Sequence, residues 1–221
     1  MYPLLIYCYD AYCGWCYGFS PVMKDIAAVY KGRLTVEVLS GGMILPEKPT
    51  PISVVAGYIQ QAYKTVEDRT GIRFGKDFLW HIFNPDQSDW FLSSEKPAIA
   101  LCVFKDYLPE QQLDFASDLQ YALNDEGRDL CDDEAYRHLV EKYQLPEAEF
   151  YSRLHDEAYK EKAYYEFGLC KQLKVSGFPA LFLQTSEQRM YSIASGFTEK
   201  EVIQQRIDAV LAQQSPLQSP I

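Results

Sequence analysis

The sequence has little basic charge and no long apolar run. It contains 21 Lys and Arg against 31 Asp and Glu, which gives a formal net charge of −10. A surface this acidic repels phosphate backbones and anionic lipid headgroups, so we expect neither nucleic acid nor a membrane as a partner. No stretch approaches the ~20 consecutive apolar residues that a transmembrane helix requires.

The N-terminus lacks the marks of a secretory leader. Met1 runs directly into an apolar segment, without a basic region, an apolar stretch of signal length or a small-residue cleavage site. We therefore expect a cytoplasmic protein. In that compartment scattered cysteines stay reduced and do not form a disulfide framework.

Ligands for a metal or a prosthetic group are also scarce. None of the three histidines, His81, His138 and His155, has a second histidine or cysteine at the spacing of a zinc site. Attachment of haem would need a histidine directly after the second cysteine of a close pair, where this chain has Tyr17. We expect no metal and no cofactor.

One close cysteine pair, Cys13 and Cys16, lies between the apolar run 4–9 and the stretch 22–30, which is typical of a helix. This order predicts a strand, a turn and a cysteine pair at a helix start. Unpaired N–H groups and the positive end of the helix dipole favour a thiolate there, so Cys13 is the predicted nucleophile. Cys16 lies one turn further along the same face and is predicted to resolve a mixed disulfide on Cys13.

The four other cysteines receive no role. Cys8 and Cys102 lie in apolar segments and are predicted to be small buried side chains. Cys131 and Cys170 lie in more polar surroundings, where they could be exposed.

Two distant motifs resemble the thioredoxin-fold oxidoreductases, in particular the DsbA-like branch that includes FrnE-type proteins. The first is Cys13-Gly-Trp-Cys16 with Pro21, at the place of the family's helix-kinking proline. The second is Phe178-Pro179, which occupies the position of the family's cis proline, beside the cysteines. The resemblance covers roughly residues 4–42 and 155–213. It implies an α/β thioredoxin-like fold (βαβ … ββα) with an inserted all-helical domain.

Hydrophobic periodicity and turn residues place the elements. They predict strands at 4–9, 34–39, 180–183 and 190–194, the first two parallel and the last two antiparallel, and a final helix at 199–211. Helices are also predicted from Thr50-Pro51 to Gly71 and in several further segments up to Leu173. We divide the chain into a thioredoxin-like domain (1–45 and 152–213), an inserted helical domain (46–151) and a flexible tail (214–221).

The resemblance also implies how substrate binds. Pro179 would lie against the cysteines and leave the Phe178 backbone free to bind an extended substrate. Tyr12, Trp15 and Phe178 are predicted to form an apolar rim that takes a hydrophobic side chain or a flat small molecule, with Trp15 exposed in the turn. Tyr17 and Phe19 could belong either to this rim or to the core side of the helix, and for Phe19 we predict the core.

One position departs from the family pattern. A buried acid that helps the resolving thiol exchange its proton stands six residues before the first cysteine in these proteins, and this chain has Tyr7 there. Asp10 is expected nearer the surface and could substitute for the acid, although a loop acid is more often a turn or cap residue.

The predicted function is thiol–disulfide exchange through Cys13 and Cys16, as a reductase or an isomerase on protein or small-molecule disulfides, with glutathione a possible co-substrate. One alternative is a glutathione-dependent isomerase or transferase, resembling the kappa-class transferases and 2-hydroxychromene-2-carboxylate isomerases. Those generally have serine at the position of Cys13. Another alternative is a non-catalytic binding module with a redox-sensitive latch.

Overall fold

A four-stranded mixed sheet organises the described part of the chain, residues 3–45 and 50–213, in the computed structural model. In chain order the elements are β1 (Leu4–Tyr9), α1 (Gly14–Val29), β2 (Thr35–Ser40), β3 (Thr50–Pro51), α2 (Ser53–Thr70), α3 (Lys76–Phe83), β4 (Phe91–Leu92), α4 (Glu95–Lys105), α5 (Gln112–Asn124), α6 (Arg137–Lys142), α7 (Glu147–Leu154), α8 (Glu157–Gln172), β5 (Ala180–Ser186), β6 (Arg189–Ser195) and α9 (Lys200–Ala212). Short 3₁₀ turns at Pro109–Gln111 and Asp133–Tyr136 precede α5 and α6.

The sheet has the strand order β2-β1-β5-β6. Strands β1 and β2 are parallel and are joined by α1, as a crossover connection requires. Strand β5 runs antiparallel to β1 and to β6, with which it forms a hairpin. These pairings confirm the predicted βαβ unit and the predicted antiparallel pair.

Strand β1 is covered on both faces. Leu5, Tyr7 and Tyr9 join the larger apolar core, whereas Ile6 and Cys8 join a smaller cluster on the other face. Successive side chains of a strand point to opposite faces, so an all-apolar strand needs a cover on each. Cys170 of α8 belongs to the smaller cluster and is 2% exposed, which corrects the prediction that it could be exposed. The helix turns this side chain towards the sheet.

The segment between β2 and β5 is helical apart from one short ribbon. Strands β3 and β4 pair antiparallel through Thr50 and Pro51, so the prediction of an all-helical insertion was wrong at this point, because a two-residue ribbon leaves no periodic pattern. Helix α2 consequently begins at Ser53 rather than at Pro51. It ends as predicted at Gly71, whose φ of 78° is the left-handed conformation that glycine adopts readily.

The boundaries of the division into two domains remain our proposal. Residues 46–49, where the insertion was predicted to begin, and the predicted tail 214–221 lie outside the described residues. Among the described helices, none is long and apolar enough to cross a membrane.

Side chains from other elements bind the backbone of the edge strand β2. Gln112 accepts a hydrogen bond from Val38 N at 2.8 Å, and Glu166 accepts one from Ser40 N at 2.9 Å. Lys105 lies between Glu37 (2.8 Å) and Glu166 (2.7 Å) and donates to the Val38 carbonyl. Burial lowers the pKa of Lys105, but the two carboxylates outweigh it and the net pKa is raised. The outer edge of β2 is thereby held by buried polar groups.

Candidate active site

The cysteine pair lies where β1 turns into α1. Cys13 is the N-cap residue of the helix, with extended backbone, and its sulfur accepts a hydrogen bond from Cys16 N at 3.2 Å. Its own N–H donates to the Asp10 carbonyl at 3.1 Å. A side-chain acceptor at this position satisfies one of the free N–H groups of the first turn of the helix.

The two sulfurs differ in their surroundings. Cys13 is 6% exposed and lines an apolar cavity, whereas Cys16 is fully buried. Burial raises the pKa of the Cys16 thiol well above its usual value, and the Cys13 sulfur raises it further. Cys13 can therefore react with a substrate. Cys16 stays a protonated thiol until a mixed disulfide forms on Cys13 and gives it a sulfur to attack.

The chain brings Phe178 and Pro179 to the cysteines from the start of β5. The peptide bond between them is cis, and the Cys13 thiol lies 3.6 Å from the Phe178 carbonyl oxygen. The Phe178 ring packs directly on Gly41 after β2, where a Cβ would lie only 2.0 Å from its Cζ atom. Only glycine at 41 allows this approach, which fixes the ring beside the end of the parallel strands.

The predicted aromatic rim is more enclosed than expected. Trp15 is half-buried rather than exposed, because Phe197 packs on it with ring centroids 6.1 Å apart. Tyr12 is also half-buried, and its hydroxyl lies 3.4 Å from the Cys131 sulfur. Phe19 is fully buried, which confirms it as core.

Asp10 is buried, so the expectation that it lies nearer the surface was wrong. Its side chain accepts hydrogen bonds from Tyr12 N (3.0 Å), the Ser94 hydroxyl (2.9 Å) and Met43 N (2.7 Å). Burial raises the pKa of this carboxyl group, and the three donors oppose that rise. Asp10 acts on the pKa of Cys16 in two opposite ways, both smaller than burial and the Cys13 sulfur: its backbone lowers that pKa through a hydrogen bond, and its charge raises it by less.

Tyr7, at the place of the family's acid, supplies no acid. It is 2% exposed, and its hydroxyl has no hydrogen-bond partner within residues 3–45 and 50–213. Burial raises the pKa of Tyr7 well above its usual value, and charge on Cys16 raises it further. The Tyr7 side chain lies in the core, close enough to the resolving thiol for Cys16 to affect its pKa.

Sequence reasoning missed the cavity beside Cys13. It has a volume of about 330 Å³ and lies between the cysteine turn and helices α2 and α3. The apolar residues of α2 that line it have the pattern of ordinary core residues, so no signal in the sequence singles them out. No group of three or more His, Cys, Asp or Glu side chains is placed to hold a metal ion in the described ranges.

Comparisons with known proteins agree with this fold. The family described as DSBA-like thioredoxin domain matches residues 5–208. A structure from Nitrosomonas europaea, assigned provisionally as a protein disulfide isomerase, superposes with a TM-score of 0.83 at 25% identity, covering 97% of this chain and 100% of the other. The cytosolic disulfide reductase DsbM from Pseudomonas aeruginosa superposes with a TM-score of 0.74 at 25% identity, covering 96% and 98%.

Two further findings complete the comparisons. DsbM also has a structure with GSH, which superposes with a TM-score of 0.71. A 2-hydroxychromene-2-carboxylate isomerase superposes with a TM-score of 0.62 at 13% identity, covering 95% of each chain, which shows a shared fold alone. No curated protein sequence matches the chain.

Proposed function

The chain belongs to the DSBA-like thioredoxin domain family, and from this premise we propose that it is a thiol–disulfide oxidoreductase that works through Cys13 and Cys16. The observation that carries the proposal is the placement of the Cys13 sulfur at the N-cap of α1. There it accepts the Cys16 N–H and lies against both the Phe178 carbonyl and an open cavity. The dithiol counts against the isomerase or transferase alternative, because the proteins that this alternative resembles generally have serine at the position of Cys13.

The proposed reaction consumes one substrate disulfide. The Cys13 thiolate attacks one sulfur of that disulfide, which forms a mixed disulfide and releases the other half as a thiolate. Cys16 then loses its proton and attacks the Cys13 sulfur, so the second half leaves as a thiol and the enzyme holds a Cys13–Cys16 disulfide. The substrate has gained the two electrons that the dithiol has lost.

The dithiol is regenerated by a thiol reductant, for which we propose glutathione. Two glutathione molecules reduce the Cys13–Cys16 disulfide and leave as glutathione disulfide. The structure of DsbM with GSH supports glutathione as a co-substrate, and the description of DsbM as a cytosolic reductase supports the reducing direction and a cytoplasmic location. We propose Asp10 as a proton acceptor for Cys16, because it is a buried carboxyl group in the cysteine turn and its backbone carbonyl accepts a hydrogen bond from Cys13 N.

A Cys16→Ser variant tests the division of roles between the sulfurs. Mixed with glutathione disulfide, it is expected to retain one glutathione on Cys13, because no second thiol is in place to release it. Wild-type protein should retain almost none. Intact-protein mass spectrometry under acid quench measures the adduct, and peptide mapping locates it.

The matched control is Cys13→Ser with Cys16 intact, which should form no adduct because Cys16 is fully buried. Equal and stable adducts on wild type and Cys16→Ser would show that Cys16 does not resolve, and the proposed function would fail.

A further inference from the structure

The cavity beside Cys13 is built almost entirely of hydrocarbon. Its walls include Ile59, Ala62 and Val66 of α2 and Phe78 and Ile82 of α3, and Cys13 lies at its edge. A volume of about 330 Å³ is at the lower end of the range for small-molecule sites. Because cavities of about 150 Å³ already hold benzene, this one has room for a group of about two fused rings.

Rigid aromatic contacts keep the cavity in shape. Phe74 stacks on Phe78 with ring centroids 5.5 Å apart and meets the Tyr63 ring edge-on at 6.3 Å. Phe74 also approaches the cysteine turn closely, since a Cβ on Gly14 would lie 3.3 Å from its Cζ atom. The cavity therefore borders the turn that carries the nucleophile. Cys16 is not among the lining residues.

The lack of charged side chains in the lining favours an uncharged, apolar occupant. Within the described residues, no Lys, Arg, Asp or Glu side chain lines the cavity, and the polar side chains in its lining are those of Asn124, Cys13, Trp15 and three tyrosines. Glutathione carries carboxylates and an ammonium group, which would lose their hydration here without a partner of opposite charge. An apolar group, by contrast, gains roughly 25 cal/mol for each Å² that it removes from water.

We propose that the substrate is a small-molecule disulfide with one apolar, ring-bearing half, and that this half occupies the cavity. The inference rests on the proposed function and names its substrate class. Cys13 attacks the sulfur of the seated half, and the other half leaves as a thiolate. Cys16 then attacks the Cys13 sulfur, the seated half leaves as a free thiol, and two glutathione molecules restore the dithiol.

The test compares two mixed disulfides of glutathione that differ only in the other half. One carries 2-(2-naphthyl)ethanethiol and the other carries 2-mercaptoethanol, so both are alkyl disulfides of similar intrinsic reactivity. Turnover is followed as formation of glutathione disulfide in excess glutathione, coupled to glutathione reductase and NADPH. Wild type is expected to have a kcat/KM at least tenfold higher for the naphthyl probe.

Ala62→Trp fills the cavity and is expected to lower kcat/KM for the naphthyl probe at least tenfold, with the mercaptoethanol probe changed less than twofold. Gln61→Trp places the same side chain on the exposed face of α2 and should change neither. If Ala62→Trp fails to fold, Val55→Asp tests the same wall, because a carboxylate there leaves the volume but makes it polar.

The possible outcomes test the substrate class and the proposed oxidoreductase function separately. Equal kcat/KM for both probes in wild type, or an equal loss of both in Ala62→Trp, would overturn the substrate class and leave the oxidoreductase standing. Turnover of neither probe by wild type would overturn the proposed function, and the inference with it.

Discussion

Replacing Cys13 with serine is expected to reduce thiol–disulfide exchange by roughly 10³-fold or more, which corresponds to about 4 kcal/mol of barrier. Among the described residues, this sulfur is the only thiol that lines the cavity, and it accepts the hydrogen bond from Cys16 N. A serine hydroxyl can keep that hydrogen bond and so keep the helix start. It is not ionised at neutral pH and cannot form a disulfide, so the chemistry is lost while the fold remains.

The measurement is the rate of glutathione-dependent reduction of a mixed disulfide at fixed pH, with thermal unfolding as the check on folding. Cys131→Ser is the matched control, because it removes a half-buried thiol that lies near the site, 3.4 Å from the Tyr12 hydroxyl. It should retain nearly full activity. If activity survived in Cys13→Ser and disappeared in Cys131→Ser, the assignment of Cys13 as the nucleophile would be wrong.

Lys105→Met is expected to lower the free energy of unfolding by about 3–5 kcal/mol, the usual cost of removing one partner from a buried ion pair. The substitution leaves Glu166 buried without its cation and removes the donor to the Val38 carbonyl. Since the pKa of folded Lys105 lies above its ordinary value of 10.5, its contribution is present at neutral pH and is lost only when the pH rises through the folded pKa.

Denaturant unfolding of Lys105→Met against wild type measures the loss. Lys200→Met is the control, because its ion pair with Asp25 lies at the surface and should have little effect. A Lys105→Met/Glu166→Gln double variant should recover part of the loss, since glutamine carries no charge and can still accept from Ser40 N. An unchanged midpoint in Lys105→Met would contradict the proposed role of this cluster in holding β2.

The cysteine site was predictable because its signals are local. The hydrophobic patterns before and after Cys13 predict the strand and the helix. Cys16 follows only three residues later, so the whole site can be located within one short stretch of the sequence. Pro179 was predictable only through its resemblance to a family motif, since a proline before a strand says little about which part of the sheet it joins.

The surroundings of the site were not predictable in the same way. Asp10 is buried because Ser94 and the backbone of Met43 arrive from distant parts of the chain and satisfy its oxygens. Trp15 is covered by Phe197 for the same reason. Contacts between residues this far apart in sequence depend on how the helices pack, and composition carries no record of them.

The cavity escaped prediction because it is a gap left between α2 and the cysteine turn. The lining side chains of α2 would have the same periodicity whether the helix packed directly on the cysteine turn or left a gap beside it. Likewise, Glu37, Lys105 and Glu166 each resemble a surface charge in sequence, and only the fold brings them together.

The redox equilibrium of the Cys13–Cys16 pair tests the central claim most directly. The protein is equilibrated in glutathione and dithiothreitol buffers of known potential, and free thiols are alkylated and counted by peptide mass. The account predicts one reversible two-electron transition confined to these two cysteines, between about −270 and −180 mV, the range from thioredoxin to protein disulfide isomerase. A transition near −120 mV would contradict the reducing direction, and no reversible transition at all would contradict the oxidoreductase itself.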